Sequence, residues 1–211
     1  MLFDDLGSTS WHNRHHHIFA QLNALLDAAG ARELTLVIVG PGGVTRLMSP
    51  VLNDAARNAS GVRKLVGDLA RYSDQLLRRL PFVPLRSLEP VELSRTLTMS
   101  HRIVAVDRSA RLLDAVRRDL PGAECRVIDI TTRPIDVRAD VVVAMNVISR
   151  LGDAAADGVR HVLEALKEGG WIVMDDRSAR THLAGDPRMT RVGDKIYRVA
   201  PADAATATVA P

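Results

Sequence analysis

Leu36-Val-Ile-Val-Gly-Pro-Gly-Gly43 decides how this chain is read. An apolar run rich in β-branched residues stops at a turn holding three glycines. A central strand buried on both faces looks like this where it runs into a loop that must admit a ligand. Glycine has no Cβ, so backbone N–H groups there can approach a polar or anionic ligand closely.

Working outward, Leu34 to Val39 is the first predicted strand. It is preceded by a helix over 10–30, capped by Ser10, with Trp11, His15, Ile18, Leu22, Leu25, Leu26 and Ala29 on one face. Residues 1–9 read as a loose arm. After the glycine turn, Ser49 and Pro50 mark a helix start, a capping hydroxyl followed by proline at the first helical position. That helix runs to about Ala59. A second, Val62 to Leu80, places Val62, Leu65, Val66, Leu69, Leu76, Leu77 and Leu80 on one side. Pro81, Pro84 and Pro90 then predict an irregular connection over 81–100 with one short strand.

Further strands follow at Arg102–Val106, Glu124–Ile128, Asp140–Ala144 and Trp171–Asp175. Helices lie between them, one capped by Ser109 and one beginning at Asp153 and ending at Lys167-Glu-Gly-Gly170. Met189–Val192 and Lys195–Val199 flank a Gly193-Asp194 turn and predict a hairpin. Alternating strands and helices give an α/β fold: a mostly parallel, seven-stranded sheet, helices on both faces, and an antiparallel C-terminal hairpin. One domain over 1–200 is expected, with a helical insertion at 57–101 between the first two strands and a disordered tail at 201–211.

Composition narrows the function. Of 211 residues, 46% are hydrophobic and 25% charged, as in ordinary globular proteins. Aromatics at 3% and a net charge of +3 do not supply the stacking platform or basic tract of a nucleic-acid binder, so nucleic acid is not expected. A single cysteine, Cys125, excludes an internal disulfide or a cysteine zinc site. It reads as a small residue at a strand start. No run of about 20 apolar residues predicts a membrane span, and no basic-then-apolar leader is seen, so the cytoplasm is the expected location.

The chemistry gathers on one rim. Gly40–Gly43, Asp107, Asp129 and Asn146 all fall at predicted carboxyl ends of strands, where ligands bind in such sheets. A carboxylate at Asp107 can accept two hydrogen bonds from vicinal ribose hydroxyls, or it can cap the next helix with Ser109. Asp129 can accept from an exocyclic amine, with Ile130 packing on the ring, or it can simply start a turn.

Four stretches carry a resemblance: Ile103-Val-Ala-Val-Asp107-Arg-Ser, Val127-Ile-Asp129-Ile, Ala139-Asp-Val-Val-Val-Ala-Met-Asn146-Val-Ile-Ser-Arg-Leu151 and Val162-Leu-Glu-Ala-Leu-Lys-Glu-Gly-Gly-Trp-Ile-Val-Met174. In order and spacing they resemble the motifs of class I S-adenosylmethionine-dependent methyltransferases. The resemblance implies a Rossmann-like fold, S-adenosylmethionine as cofactor and a small-molecule methyl acceptor. It places Gly40, Pro41, Gly42 and Gly43 at the methionine part, Asp107 at the ribose, Arg108, Asp129 and Ile130 around the adenine, and Asn146 near the sulfonium.

Two departures stand out. Ile38 occupies the position where the family usually has an acid. From Gly40 to Asp107 the chain runs 67 residues, against about 20 in the usual unit. The insertion is read as a lid or substrate-binding element, the alternative being a helical cover or homodimer surface. These departures keep a second reading open: a non-catalytic or non-methylating S-adenosylmethionine-binding protein of the same fold, such as a scaffold, cyclase or lyase. A nicotinamide-dependent oxidoreductase is a third, but the turn lacks the last glycine of Gly-x-Gly-x-x-Gly.

Other side chains could carry chemistry. His12, His15, His16 and His17 cluster, and His12 and His16 have the i, i+4 spacing of metal ligands, yet no acid or cysteine nearby completes a set. A surface patch or a helix lying over the cofactor pocket is the preferred reading of this segment. His161 is expected to be structural. Asp175, Asp176 and His182 are the rim residues that could serve as a base, each with a structural reading beside it; no catalytic residue is assigned.

Overall fold

The first strand, β1, spans Glu33–Val39 and is buried along nearly its whole length. A computed structural model describes residues 13–46 and 48–200. The expectations for the arm, Ser10, Trp11, His12 and the tail from 201 lie outside the described residues. Side chains alternate across a strand. Leu34, Leu36 and Ile38 therefore enter one core, and Val37 and Val39 enter the other.

The remaining elements are β2 (Val44–Thr45), α2 (Pro50–Asn58), α3 (Gly61–Leu77), β3 (Leu85–Arg86), α4 (Glu89–Thr96), β4 (Ser100–Asp107), α5 (Ala110–Asp119), β5 (Glu124–Val127), β6 (Ala139–Ala144), α6 (Ala155–Ala165), β7 (Leu166–Met174), α7 (Asp176–His182), β8 (Met189–Gly193) and β9 (Ile196–Val199), with α1 (His16–Ala28) ahead of β1. Seven strands form one sheet in the order β5-β4-β1-β6-β7-β9-β8. β5, β4, β1, β6 and β7 are parallel; β9 and β8 close it antiparallel. The α/β architecture and terminal hairpin are as the sequence predicts.

Ile18, Phe19, Leu22 and Leu26 of α1 and Leu93 of α4 pack on one face of the sheet, against Leu36, Ile38 and Val143. Val159 and Val162 of α6 and Ala179 of α7 pack on the other, against Val37, Val142 and Ile172. Burying each such aliphatic side chain stabilises the fold by about 1.5–3 kcal/mol. The chain proceeds outward from β1 to β4 and β5, then crosses back to β6 on the other side of β1. That reversal opens the crevice at the strand ends. Among the described residues no helix is long and apolar enough to cross a membrane.

Four local expectations are corrected. The connection over 81–100 is not merely irregular: Glu89–Thr96 forms α4, with Pro90 in its first turn and Glu89 and Glu92 at its N-terminal end. Proline there sacrifices an N–H that would be unpaired anyway, and the acids suit the positive end of the helix dipole. Lys167-Glu-Gly-Gly170 does not end a helix but belongs to β7, whose register with β6 shifts between Ala139 and Val141. The helix predicted over 10–30 starts at His16 among the described residues, after a turn at residues 13–15.

The fourth concerns α3. Its apolar stripe faces outward, with Val62 78%, Leu65 66% and Leu69 66% exposed. Inward come Gly67, Asp74 and, just past the helix, Arg78. The helix is oriented by polar anchors. Asp74 accepts from Thr45 N–H, and the Arg78 guanidinium donates to the Gly43 carbonyl. Gly67 sits so close to α2 that a Cβ would lie 2.2 Å from the Ala56 nitrogen.

Candidate functional site

β1 ends at Gly40, whose N–H donates to the Val106 carbonyl of β4 at 2.9 Å. One strand further, Ile128 N–H donates to the Asp107 carbonyl at 3.0 Å. These bonds carry the ladder past the strand ends, so the glycine turn, Asp107 and Asp129 stand side by side. A cavity of about 640 Å³ opens there. Gly40, Gly42, Asp107, Arg108, Asp129, Ile130 and Asn146 line it together. Residues 106 positions apart in sequence thus meet in one crevice.

Pro41 and Gly43 are not among the lining residues. Gly43 faces away: a Cβ on it would lie 2.9 Å from Leu112 Cδ2 and 3.3 Å from the Arg86 carbonyl oxygen. At Gly40, φ is +63° and a Cβ would stand 2.4 Å from Val147 Cγ2, so only glycine leaves the turn unstrained.

Asp107 Oδ1 accepts the Ser109 N–H at 2.7 Å. The residue thus shapes the turn before α5 and also lines the cavity. A carboxylate has about four acceptor sites, and the turn does not exhaust them. Burial raises its pKa, with the Ser109 N–H and Arg108 opposing. Asp129 accepts the Thr131 hydroxyl at 2.7 Å and the Thr131 N–H at 3.0 Å, which hold its pKa below the ordinary value.

Asn146 follows β6 with φ +57°, an uncommon conformation that Asn tolerates better than most residues. Its N–H donates to Asp175 Oδ2 at 3.3 Å, and its Oδ1 accepts from Arg14 at 3.3 Å. Asp175 also accepts the Ser178 N–H and hydroxyl, capping α7. The three base candidates do not enter the cavity. Asp175 is a cap, Asp176 pairs with Arg191, and His182 lines a separate groove with Arg160 and Arg188.

The described histidines diverge. His16 reaches Glu92 at 3.7 Å and His17 reaches Asp194 at 3.2 Å. His15 is buried and lines the cavity, its imidazole pKa held down to about 3 by burial and then by Arg14. His161 contacts the Ile130 carbonyl at 2.7 Å and is structural, as expected.

Sequence reasoning missed Arg14, Glu89 and Arg150, which also line the cavity. Glu89 had a detectable signal, an acid beside Pro90 at a helix start. Arg14 and Arg150 had none, because neither belongs to a periodic pattern. Glu89 is only 7% exposed. Burial, reinforced by Glu92 and opposed by Arg14, pushes its carboxyl up to about 8.

Comparison with known proteins bears on this geometry. Residues 90–174 match the family model described as a methyltransferase domain. The match begins inside α4 and runs through the end of β7, so the glycine turn at 40–43 lies outside it. No curated protein matches the chain by sequence. Among solved structures, the N-methyltransferase NodS from Bradyrhizobium japonicum WM9, in complex with S-adenosyl-L-homocysteine, is similar with a TM-score of 0.50 at 14% identity, over 92% of this chain and 90% of that one. CalS10, an amino pentose methyltransferase from Micromonospora echinaspora, is more distant, with a TM-score of 0.43 at 17% identity over 76% of this chain and 50% of that one. The first likeness establishes the shared fold, and the family match covers the strands that carry Asp107, Asp129 and Asn146. Residues 90–174 thus match a methyltransferase domain, and the chain as a whole shares the fold of that N-methyltransferase.

Proposed function

We propose that this chain, a single domain over 1–200, transfers the methyl group of S-adenosylmethionine to a small molecule in the cytoplasm. The observation that carries the reading is one cavity collecting Gly40, Asp107, Asp129 and Asn146 from the ends of four neighbouring strands. The residues fit the cofactor. Gly40 presents bare backbone at the cavity, Asp107 offers a carboxylate for the ribose hydroxyls, and Ile128 and Ile130 offer apolar walls for a base.

When bound, S-adenosylmethionine supplies an electrophilic methyl group on a sulfonium. Every other contribution comes from this chain. Asp107 would orient the ribose, and Asp129 would accept from the adenine amine beside Arg108. Asn146, held by Asp175 and Arg14, would fix the wall near the sulfonium. Met145 and Val147 would exclude water from the reacting atoms. Catalysis then rests on positioning, which suffices when the acceptor already presents a lone pair.

An open glycine-turn cavity supports this reading over a scaffold with a collapsed site. Calorimetry with S-adenosylmethionine and S-adenosylhomocysteine tests the proposal: micromolar binding is expected, and no heat with either ligand would refute it. Mass spectrometry of small molecules that co-purify with the chain would identify the acceptor class.

A further inference from the structure

Ile38 stands where the family usually places an acid, and it is fully buried in the core beneath the sheet. It cannot face a ligand. The cavity nevertheless has a buried carboxyl away from the Asp107–Asp129 side: Glu89, the first residue of α4. Close to it lies Arg14, in the turn before α1, hydrogen-bonded to Asn146. Glu89 and Arg14 sense each other's charge but form no ion pair with one another, and Glu89 makes no hydrogen bond among the described residues. α4 packs on α1, so both residues belong to the same end of the crevice. A separated carboxyl and guanidinium complement the two charges of an α-amino acid group.

We propose that Glu89 holds the α-ammonium, and Arg14 the α-carboxylate, of the cofactor's methionine portion, replacing the acid that Ile38 displaced. This rests on the methyltransferase reading above. The inserted segment separates β1 from α4 in sequence, while α4 still presents Glu89 to the cavity.

The arrangement makes binding release a proton. Free Glu89 is mostly protonated at pH 7, because burial raises its pKa to about 8. Around it stand Glu92 on its own helix, Arg14, His15 and His16 at the start of α1, Arg150 after β6, and His101 of β4, which reaches Ser94 of α4. Glu92 raises the pKa and Arg14 lowers it. An arriving ammonium adds a positive charge against the carboxyl, favours its ionised form, and sends the proton to solvent.

The test is calorimetry on the full chain at pH 7, in phosphate and in Tris, whose ionisation enthalpies differ. S-adenosylhomocysteine and 5′-methylthioadenosine, which lacks the amino-acid end, are the ligands. Wild type should release close to one proton with the first ligand and none with the second. Glu89→Gln should abolish that release and weaken S-adenosylhomocysteine roughly ten- to hundredfold, the range for losing a hydrogen bond to a charged group. Its affinity for 5′-methylthioadenosine should be unchanged. Arg14→Gln should weaken the first ligand selectively, and Arg14→Lys should recover part of the loss. Equal weakening of both ligands, or unchanged S-adenosylhomocysteine binding and proton release in Glu89→Gln, overturns the inference alone. Failure of wild type to bind either ligand sinks the cofactor reading and this inference with it.

Discussion

Asp74 Oδ1, buried in α3, accepts a 2.6 Å hydrogen bond from the backbone N–H of Thr45, 29 residues earlier. With the 3.2 Å bond from Arg78 to the Gly43 carbonyl, it ties the inserted helix to the strand leaving the glycine turn. Asp74→Ala would leave that buried N–H unpaired, a loss of about 1–3 kcal/mol. Denaturant unfolding should show it, with Asp74→Asn losing less because an amide oxygen still accepts. Stability within about 0.5 kcal/mol of wild type in Asp74→Ala would mean that the pin is unimportant.

Gly40→Ala meets two obstacles: φ of +63° and Val147 Cγ2 at 2.4 Å from the new Cβ. The backbone conformation alone costs about 1 kcal/mol or more. A lowered melting temperature and weakened S-adenosylhomocysteine binding are expected. Adding Val147→Ala should restore part of both, since it removes the collision but not the backbone strain.

Asp107→Ala should weaken S-adenosylhomocysteine and 5′-methylthioadenosine alike, roughly tenfold or more, because both carry the ribose. That pattern is the opposite of the ligand-selective loss expected at Glu89. Titration of both ligands into one variant checks it. Asp107→Asn should hold the turn better than Asp107→Ala, since its amide oxygen can still take the Ser109 N–H.

Stability should depend on pH through two buried groups of opposite sign. Glu89 has a folded pKa near 8, above its ordinary value of 4.5, so the folded state binds the proton more tightly. Its contribution is complete below pH 4.5 and is lost as pH rises to about 8. His15 has a folded pKa near 3, below 6.5, so the unfolded state binds more protons and stability falls as pH drops from 6.5 toward 3. Melting temperatures across pH 3–9 should fall at both ends. Glu89→Gln should flatten the alkaline side only, and an unaltered alkaline slope would contradict the burial of that carboxyl.

The outward stripe of α3 makes a separate prediction. Leu69 is 66% exposed, so Leu69→Gln should change stability by less than about 0.5 kcal/mol. Were this face the core face that its periodicity suggests, the loss would be about 2–5 kcal/mol.

Local signals made much of this protein legible from sequence. The β-branched runs at Val37–Val39 and Val141–Val143 declared buried parallel strands, since a sheet covered on both faces leaves no polar alternation. Asp107 and Asp129 could be placed on the rim because each closes such a run, and the fold brings strand ends together. Periodicity also found α3, but it could not say which side would face inward. That was decided by Asp74 and Arg78, whose partners Thr45 and Gly43 lie about 30 residues away and appear in no local pattern. Arg14 was invisible as a site residue for the same reason, and Glu89 signalled only a helix start: a lone charge acquires meaning from what surrounds it. The sequence by itself determined the strands, their order of alternation with helices and the glycine–aspartate rim, all of which follow from short-range chemistry. Only the tertiary structure decided the helix faces and the charged lining of the cavity, because burial and electrostatic environment are set by residues distant in the chain.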